Sequence, residues 1–227
     1  LIYFVEDDYI HENESISAVC WRSKVSQLSL IPEEGEKVII YGKVTTYSPQ
    51  SKYQITVDKI ESEGEGSLLK KLEETKRRLE KEGIFDRRYK KKIPFIPEKI
   101  GVITSENGAV IKDIIHRISD RFPLELIVFP VNVQGKECVK HISEAIQKIN
   151  SESSKGNKDF IVDVIILARG GGSLEDLMPF NEEIMVRAIF NSIIPIISAI
   201  GHETDVTLCD FVSDLSAPTP TAAAEFV

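Results

Sequence analysis

Over residues 1–65 apolar and polar positions alternate in short runs rich in β-branched and aromatic side chains, a period that predicts strands. The runs cover residues 16–21, 37–44 and 53–57, and the breakers Pro32-Glu33-Glu34-Gly35 and Ser48-Pro49-Gln50 divide them. An apolar opening from residue 1 adds another, for about four strands where the five-stranded OB barrel has one more. Another β-meander would satisfy the same pattern. Residues 66–82 change period: Leu68, Leu69, Leu72 and Leu79 fall near helical spacing and Gly83 supplies a stop. From Lys99 on, strand and helix alternate. Strands are predicted over 100–104, 124–129, 163–168 and 194–199, helices over 108–118, 139–149 and 182–190, and a polar, Ser-rich loop over 150–158. Such alternation predicts an α/β domain, a mostly parallel sheet with helices on both faces. The expected organisation is an incomplete OB-fold-like domain over 1–65, a helical and basic linker over 66–97, and an α/β domain over 98–227.

Composition narrows this picture little. The net charge of −8 over 227 residues argues against nucleic-acid binding by bulk charge, so any such affinity must come from local patches. Apolar runs such as 193–200 are too short to span a bilayer, and no secretory n-region and h-region open the chain, so a cytoplasmic protein is expected. Cys20, Cys138 and Cys209 are odd in number and lack paired ligand spacing. They read as reduced, mostly buried thiols, with no metal site indicated.

The chemistry concentrates after the apolar run 163–168, which leads into Arg169-Gly170-Gly171-Gly172-Ser173 with Asp176 three residues beyond the serine. Buried strand, tight turn and capped helix in that order expose amides and a positive dipole end to an anion. Gly170, Gly171, Gly172 and Ser173 are therefore the candidate phosphate-binding residues, with Arg169 at the strand end, where open α/β sheets bind ligands. A guanidinium suits phosphate better than a lysine point charge does. The plain alternative is a Gly-rich connection with a surface arginine. The strand 194–199 empties at the same edge into Gly201-His202-Glu203-Thr204-Asp205. His202 is suited to move a proton near neutral pH, and Asp205 to orient it or hold a water; a lone histidine is otherwise structural. Asp113 either reaches toward the turn or pairs with Arg117 on its own helix. Ser173 is a helix cap rather than a nucleophile, since the G-x-S-x-G elbow is absent.

Two stretches suit a nucleic-acid strand. Tyr3, Phe4, Trp21, Tyr41, Tyr47 and Tyr53 lie among Arg22, Lys24, Lys43 and Lys52. Most of these rings are expected in the core, with Tyr47 and Tyr53 the exposed pair that would stack on bases. The basic run Asp86-Arg87-Arg88-Tyr89-Lys90-Lys91-Lys92 is either a solvated linker or a backbone-binding patch formed by Arg87, Arg88, Lys90, Lys91 and Lys92.

Four blocks in order, 108–114, 169–177, 201–205 and 217–225, closely resemble the large-subunit family of bacterial exodeoxyribonuclease VII. Trp21-Arg22, Pro32-Glu33-Glu34-Gly35 and Gly64-Glu65-Gly66 are similar to its OB domain and linker, so the resemblance covers essentially the whole chain. It implies hydrolysis of single-stranded DNA to short oligonucleotides from either end. It also implies catalytic roles for Asp113, Arg169, His202 and Asp205, with Mg2+ as the candidate cofactor but not strictly required, in keeping with a site short of the clustered carboxylates of a two-metal nuclease. Its implied partners are single-stranded DNA and many copies of a small helical subunit, which would dock through a coiled-coil region beyond Val227. The chain thus reads as a fragment that also lacks the opening residues of the OB domain. Two other readings of the residues stand beside this one: a module that holds single strands without cutting them, and an α/β enzyme acting on a small phosphorylated metabolite.

Overall fold

The computed structural model describes residues 2–6, 15–25, 28, 31–32, 38–47, 52–62, 65–135, 137–201 and 205–227. The chain divides into two compact units, Leu1–Lys70 and Lys71–Val227.

In the first unit β1 (Ile2–Glu6), β2 (Ser15–Val19), β3 (Val38–Tyr47) and β4 (Lys52–Ser62) form a sheet in the order β1-β2-β4-β3, with a one-turn helix α1 (Arg22–Val25) after β2. β1/β2 and β3/β4 are antiparallel and β2/β4 is parallel. The β3/β4 register shifts between Tyr41 and Gly42. A Cβ at Gly42 would lie 2.3 Å from the Thr56 carbonyl oxygen, so the strands come this close only because that side chain is missing. Among the described residues the unit's core is Ala18, Cys20, Val57 and Ile60, flanked by Val25, Leu28, Val38, Ile40 and Ile55. Trp21, Tyr41 and Tyr53 stand exposed, so the expectation of mostly buried rings fails for two of them, Trp21 and Tyr41. The described core, built on Ala18, Cys20, Val57 and Ile60, gives these rings little to pack against.

In the second unit the helical spacing of leucines gives α2 (Glu65–Lys81), whose C-terminal part belongs here. Gly83 ends it at φ +77°, with the Ile84 amide returned to the Leu79 carbonyl at 3.2 Å. There follow β5 (Lys99–Thr104), α3 (Ala109–Arg121), β6 (Glu125–Pro130), α4 (Cys138–Ser154), β7 (Val164–Arg169), α5 (Leu174–Leu177), α6 (Glu183–Phe190), β8 (Ile196–Ile200), α7 (Leu208–Val212), β9 (Leu215–Ser216) and α8 (Pro220–Glu225). The five strands run parallel in the order β6-β5-β7-β8-β9.

The unbroken apolar run of β7 is what a strand covered on both faces requires. Val164, Ile166 and Ala168 pack toward the core shared with α3 and α8, while Ile165 and Leu167 pack toward the core shared with α4, α6 and α7. Truncating Ile166 to alanine should cost about 2–5 kcal/mol. The loop expected over 150–158 is instead helix as far as Ser154, and the chain turns at Gly156, φ +77°. Asn150 explains the difference, because its side chain sits in the helix and accepts from the Ile193 amide at 2.7 Å. A residue whose polarity suggested a loop is a polar strut between two elements.

Candidate active site

All five strands point their C-terminal ends toward one edge, and the loops there carry the site. β7 closes with Arg169, and β8 pairs beside it with Arg169 opposite Ile200. The next amide, Gly201 N–H, donates to the Arg169 carbonyl at 3.1 Å. Strand alternation sends the Arg169 side chain to the same face as Ile165 and Leu167, toward the start of α4. Its charge is felt at Cys138, where burial pushes the thiol up from its ordinary value and the guanidinium offsets part of that rise.

The guanidinium is not a surface group. Arg169 is 2% exposed, and neither Nη1 nor Nη2 has a hydrogen-bond partner among the described residues. An Asp176 carboxylate oxygen lies 3.2 Å from Nη2, close enough for charge pairing but off the N–H direction. Removing an arginine from water with one half-exposed, poorly aligned carboxylate leaves much of its desolvation uncompensated. Such a charge attracts an anion.

The glycine turn works through clearance rather than through left-handed backbone. The left-handed glycines among the described residues are Gly83, Gly135, Gly156 and Gly201, and none of the three turn glycines is among them. What Gly172 supplies is space: a Cβ there would lie 2.4 Å from both Nη1 and Nη2 of Arg169. Ser173 caps the next helix as its spacing suggests, its Oγ accepting from the Asp176 amide at 3.4 Å. That helix, α5, is only Leu174–Leu177, too short for the strong dipole expected of it. Gly170 and Gly171 line a cleft of about 310 Å³ together with Arg169, Thr104, Ser105, Val110, Asn132, Val133 and Gln134.

Asp205 reaches the same edge through Gly201. Gly201 has φ +72°, and a Cβ on it would lie 2.6 Å from Asp205 Cβ and 2.8 Å from one carboxylate oxygen, so that carboxylate folds over the glycine whose amide bonds Arg169. Asp205 also lines a neighbouring cleft of about 290 Å³ with Asp210 and Ser216. Asp210 is committed elsewhere, closing a capping box with Thr207 and accepting from Ser216 at 3.1 Å. His202 lies outside the described residues, within the interval bounded by Gly201 and Asp205. Asp113 is exposed on α3, one turn beyond the cleft-lining Val110. It does not take Arg117 as partner, since Arg117 Nε donates to Glu225 at 2.7 Å. Among the described residues no group of three or more His, Cys, Asp or Glu is placed to hold a metal ion.

A family model described as "Exonuclease VII, large subunit" matches residues 84–227. The chain belongs to this family. A second model, "OB-fold nucleic acid binding domain", matches residues 1–61. The exodeoxyribonuclease 7 large subunit of Rhodospirillum centenum is 54% identical over 214 residues, 94% of this chain and 41% of that protein. Those of Azorhizobium caulinodans and Brucella suis are each 52% identical, over 95% and 98% of this chain. The chain spans about two fifths of the length of the relatives it matches. The α/β unit with an OB-fold domain before it is thus the architecture of an exonuclease VII large-subunit segment, and among its described residues no helix is long and apolar enough to cross a membrane.

The basic run of this family member is partly occupied in holding its own fold. Lys90 Nζ donates to the Ser213 carbonyl at 2.6 Å, and burial pushes its pKa down while Asp214 opposes that shift. The Lys91 amide donates to Asp214 at 2.6 Å and its ammonium lies 3.4 Å from the same carboxylate. Arg87 and Lys92 stay exposed; Arg88, also exposed, pairs with Asp86 at 2.8 Å. In the OB domain Tyr53 is 68% exposed, and the Tyr47 side chain lies outside what is described. Sequence reasoning passed over Thr104, Ser105, Asn132 and Gln134, all lining the first cleft. The signal was available: each follows or ends a strand of the parallel sheet at the edge where such sheets bind ligands.

Proposed function

We propose that this chain carries the strand-cutting part of an exodeoxyribonuclease VII large subunit, hydrolysing phosphodiester bonds of single-stranded DNA to short oligonucleotides. The observation that carries the proposal is the buried, incompletely partnered Arg169 guanidinium at the C-terminal sheet edge, joined through Gly201 to Asp205. In this reading Arg169 and the amides of Gly170, Gly171, Gly172 and Ser173 meet the charge that grows on the phosphoryl oxygens. Preorganised donors of this kind in a dry site contribute most to the rate. His202 exchanges the proton, as base on water or acid toward the leaving oxygen, and Asp205 orients it. Asp113 positions water, Arg169, or Mg2+ if one is used.

Tyr47 and Tyr53 stack bases of the incoming strand, and the cations of residues 87–92 neutralise its backbone, Arg87 and Lys92 most directly because they face solvent. A small helical subunit docks through a region outside this chain, and the assembly works in the cytoplasm. End-labelled single-stranded DNA, incubated with the full-length subunit in chelator and then in magnesium, tests the reading. Shortened products are expected from the parent and none from Arg169→Ala or His202→Ala. Binding that falls steeply with salt but makes no new ends would instead identify a module that only holds the strand. Parent-like degradation by both variants would refute the site.

A further inference from the structure

We propose that Thr104 and the first turn of α3 form a second phosphate-holding element, so that the backbone gripped by Arg169 is held from the other face of the sheet as well. The inference rests on Arg169 being the phosphate anchor described above. β5 and β7 are neighbours with Ile103 opposite Leu167, which puts Thr104 level with Ala168 and one step short of Arg169. Neighbouring strands stand about 4.8 Å apart. Alternation along β5 sends Thr104 to the face of Ile100 and Val102, the α3 side, while Arg169 takes the α4 side. Thr104 from one face and Arg169 from the other therefore both line the cleft over the strand ends.

Thr104 is 0% exposed, and its Oγ1 has no hydrogen-bond partner among the described residues. Valine would fill the same space in a strand of Ile and Val without that cost, so the hydroxyl is unfavourable for the free fold. Beside it α3, a helix of 13 residues, begins after Gly108 with no side-chain cap and no acidic residue in its first turn. Its first amides are thus available to an anion. Val110, in that turn, lines the cleft, and Ser105 Oγ lies 2.5 Å from where a Cβ on Gly108 would stand. The dipole that the short α5 cannot supply comes from α3. A cleft of about 310 Å³ accommodates one nucleotide-sized group.

The test compares Thr104→Val, Thr104→Ser and Arg169→Ala in the full-length subunit. Readouts are KM and kcat on an end-labelled oligothymidylate and the thermal midpoint. Thr104→Val should raise KM about tenfold, the worth of one hydrogen bond to a charged group, while the thermal midpoint holds or rises by about 2–4 °C. Thr104→Ser, which keeps the hydroxyl, should stay within about twofold of the parent KM. If the valine variant does not fold, Thr104→Ala against Thr104→Ser reads the same difference. A parent-like KM for the variant without the hydroxyl overturns the proposal, as does a KM rise in Thr104→Ser that tracks a lower midpoint. Loss of cleavage in Arg169→Ala alongside a parent-like Thr104→Val removes only the second holder. Parent-like cleavage by Arg169→Ala removes the anchor and Thr104 with it.

Discussion

Where the strands begin, Asp163 accepts from the Glu98 and Lys99 amides at 2.7 and 2.9 Å, and Asp214 accepts from the Lys91 and Ile196 amides at 2.6 and 2.8 Å. Where they end, the Arg169 guanidinium and the Thr104 hydroxyl are buried with no hydrogen bond among the described residues. Both edges bury charge, but only the first satisfies it. A carboxylate saturated by backbone amides fixes the positions of strand starts and contributes to stability. A guanidinium left short of partners weakens the free protein and strengthens its hold on whatever anion arrives. The contrast teaches that the sheet is braced at one end and made receptive at the other.

The sharpest way to break that contrast is to exchange each charge for a neutral side chain. Arg169→Met, close in volume, should cut single-strand degradation by at least about a hundredfold, as loss of a charge-stabilising donor does. Its urea midpoint should be unchanged or higher, because replacing a poorly paired buried charge with an apolar group is often neutral or stabilising. Asp214→Ala should do the reverse. With its side chain 3% exposed and two amides depending on it, the loss is about 3 kcal/mol in urea titration, with kcat per folded molecule unchanged. A destabilised Arg169→Met with full activity would erase the distinction between the edges.

Much of this was legible in the chain. The continuous apolar run of β7 could only be a strand covered on both sides, and Arg169 after it had to sit at the ligand-binding edge. Gly83 marked the end of α2 because a left-handed stop was needed. Other features depend on contacts that no local pattern encodes. Arg117 finds Glu225, 108 residues away, rather than Asp113 four positions back. Helix α4 runs past Asn150 because the partners of that side chain lie at 192–194. β9 is two residues, too short for a period, and α8 hides behind Ala217-Pro218-Thr219-Pro220, where Thr219 as cap and Pro220 as first helical residue are in fact a start signal. That Arg169 is buried was not readable either, since it follows from Gly172 lying against the guanidinium.

Gly172→Ala sharpens the comparison at that contact. A methyl group 2.4 Å from both terminal nitrogens cannot coexist with the present guanidinium position. Either the turn lifts or the arginine leaves its seat, at a cost of about 1–3 kcal/mol typical of overpacking. Degradation of single strands should fall about tenfold or more, since a small misplacement of a charge-stabilising donor has large kinetic effects. The same change at Gly135, left-handed but with nothing near its would-be Cβ, should leave activity at the parent level and lower only stability. Equal kinetic effects at the two glycines would mean that the turn's role is flexibility rather than clearance.

The smallest expected effect separates two helix caps. Thr219 Oγ1 accepts from the Ala222 amide at 3.1 Å and starts α8, whose Ala223 and Ala224 pack in the core against α3. Ser173 Oγ accepts from the Asp176 amide at 3.4 Å and starts a helix of one turn at the receptive edge. Thr219→Ala should therefore lower unfolding stability by about 1 kcal/mol, the usual worth of a cap whose helix is packed. Ser173→Ala should cost less than about 0.5 kcal/mol, because its bond is long and the helix it starts contributes little on its own. Its effect should appear instead as a modest rise in KM, since the cap fixes Asp176, whose carboxylate lies beside Arg169. Urea titration of the two variants side by side decides the matter: equal losses would place Ser173 among the bracing residues and move the boundary between the edges.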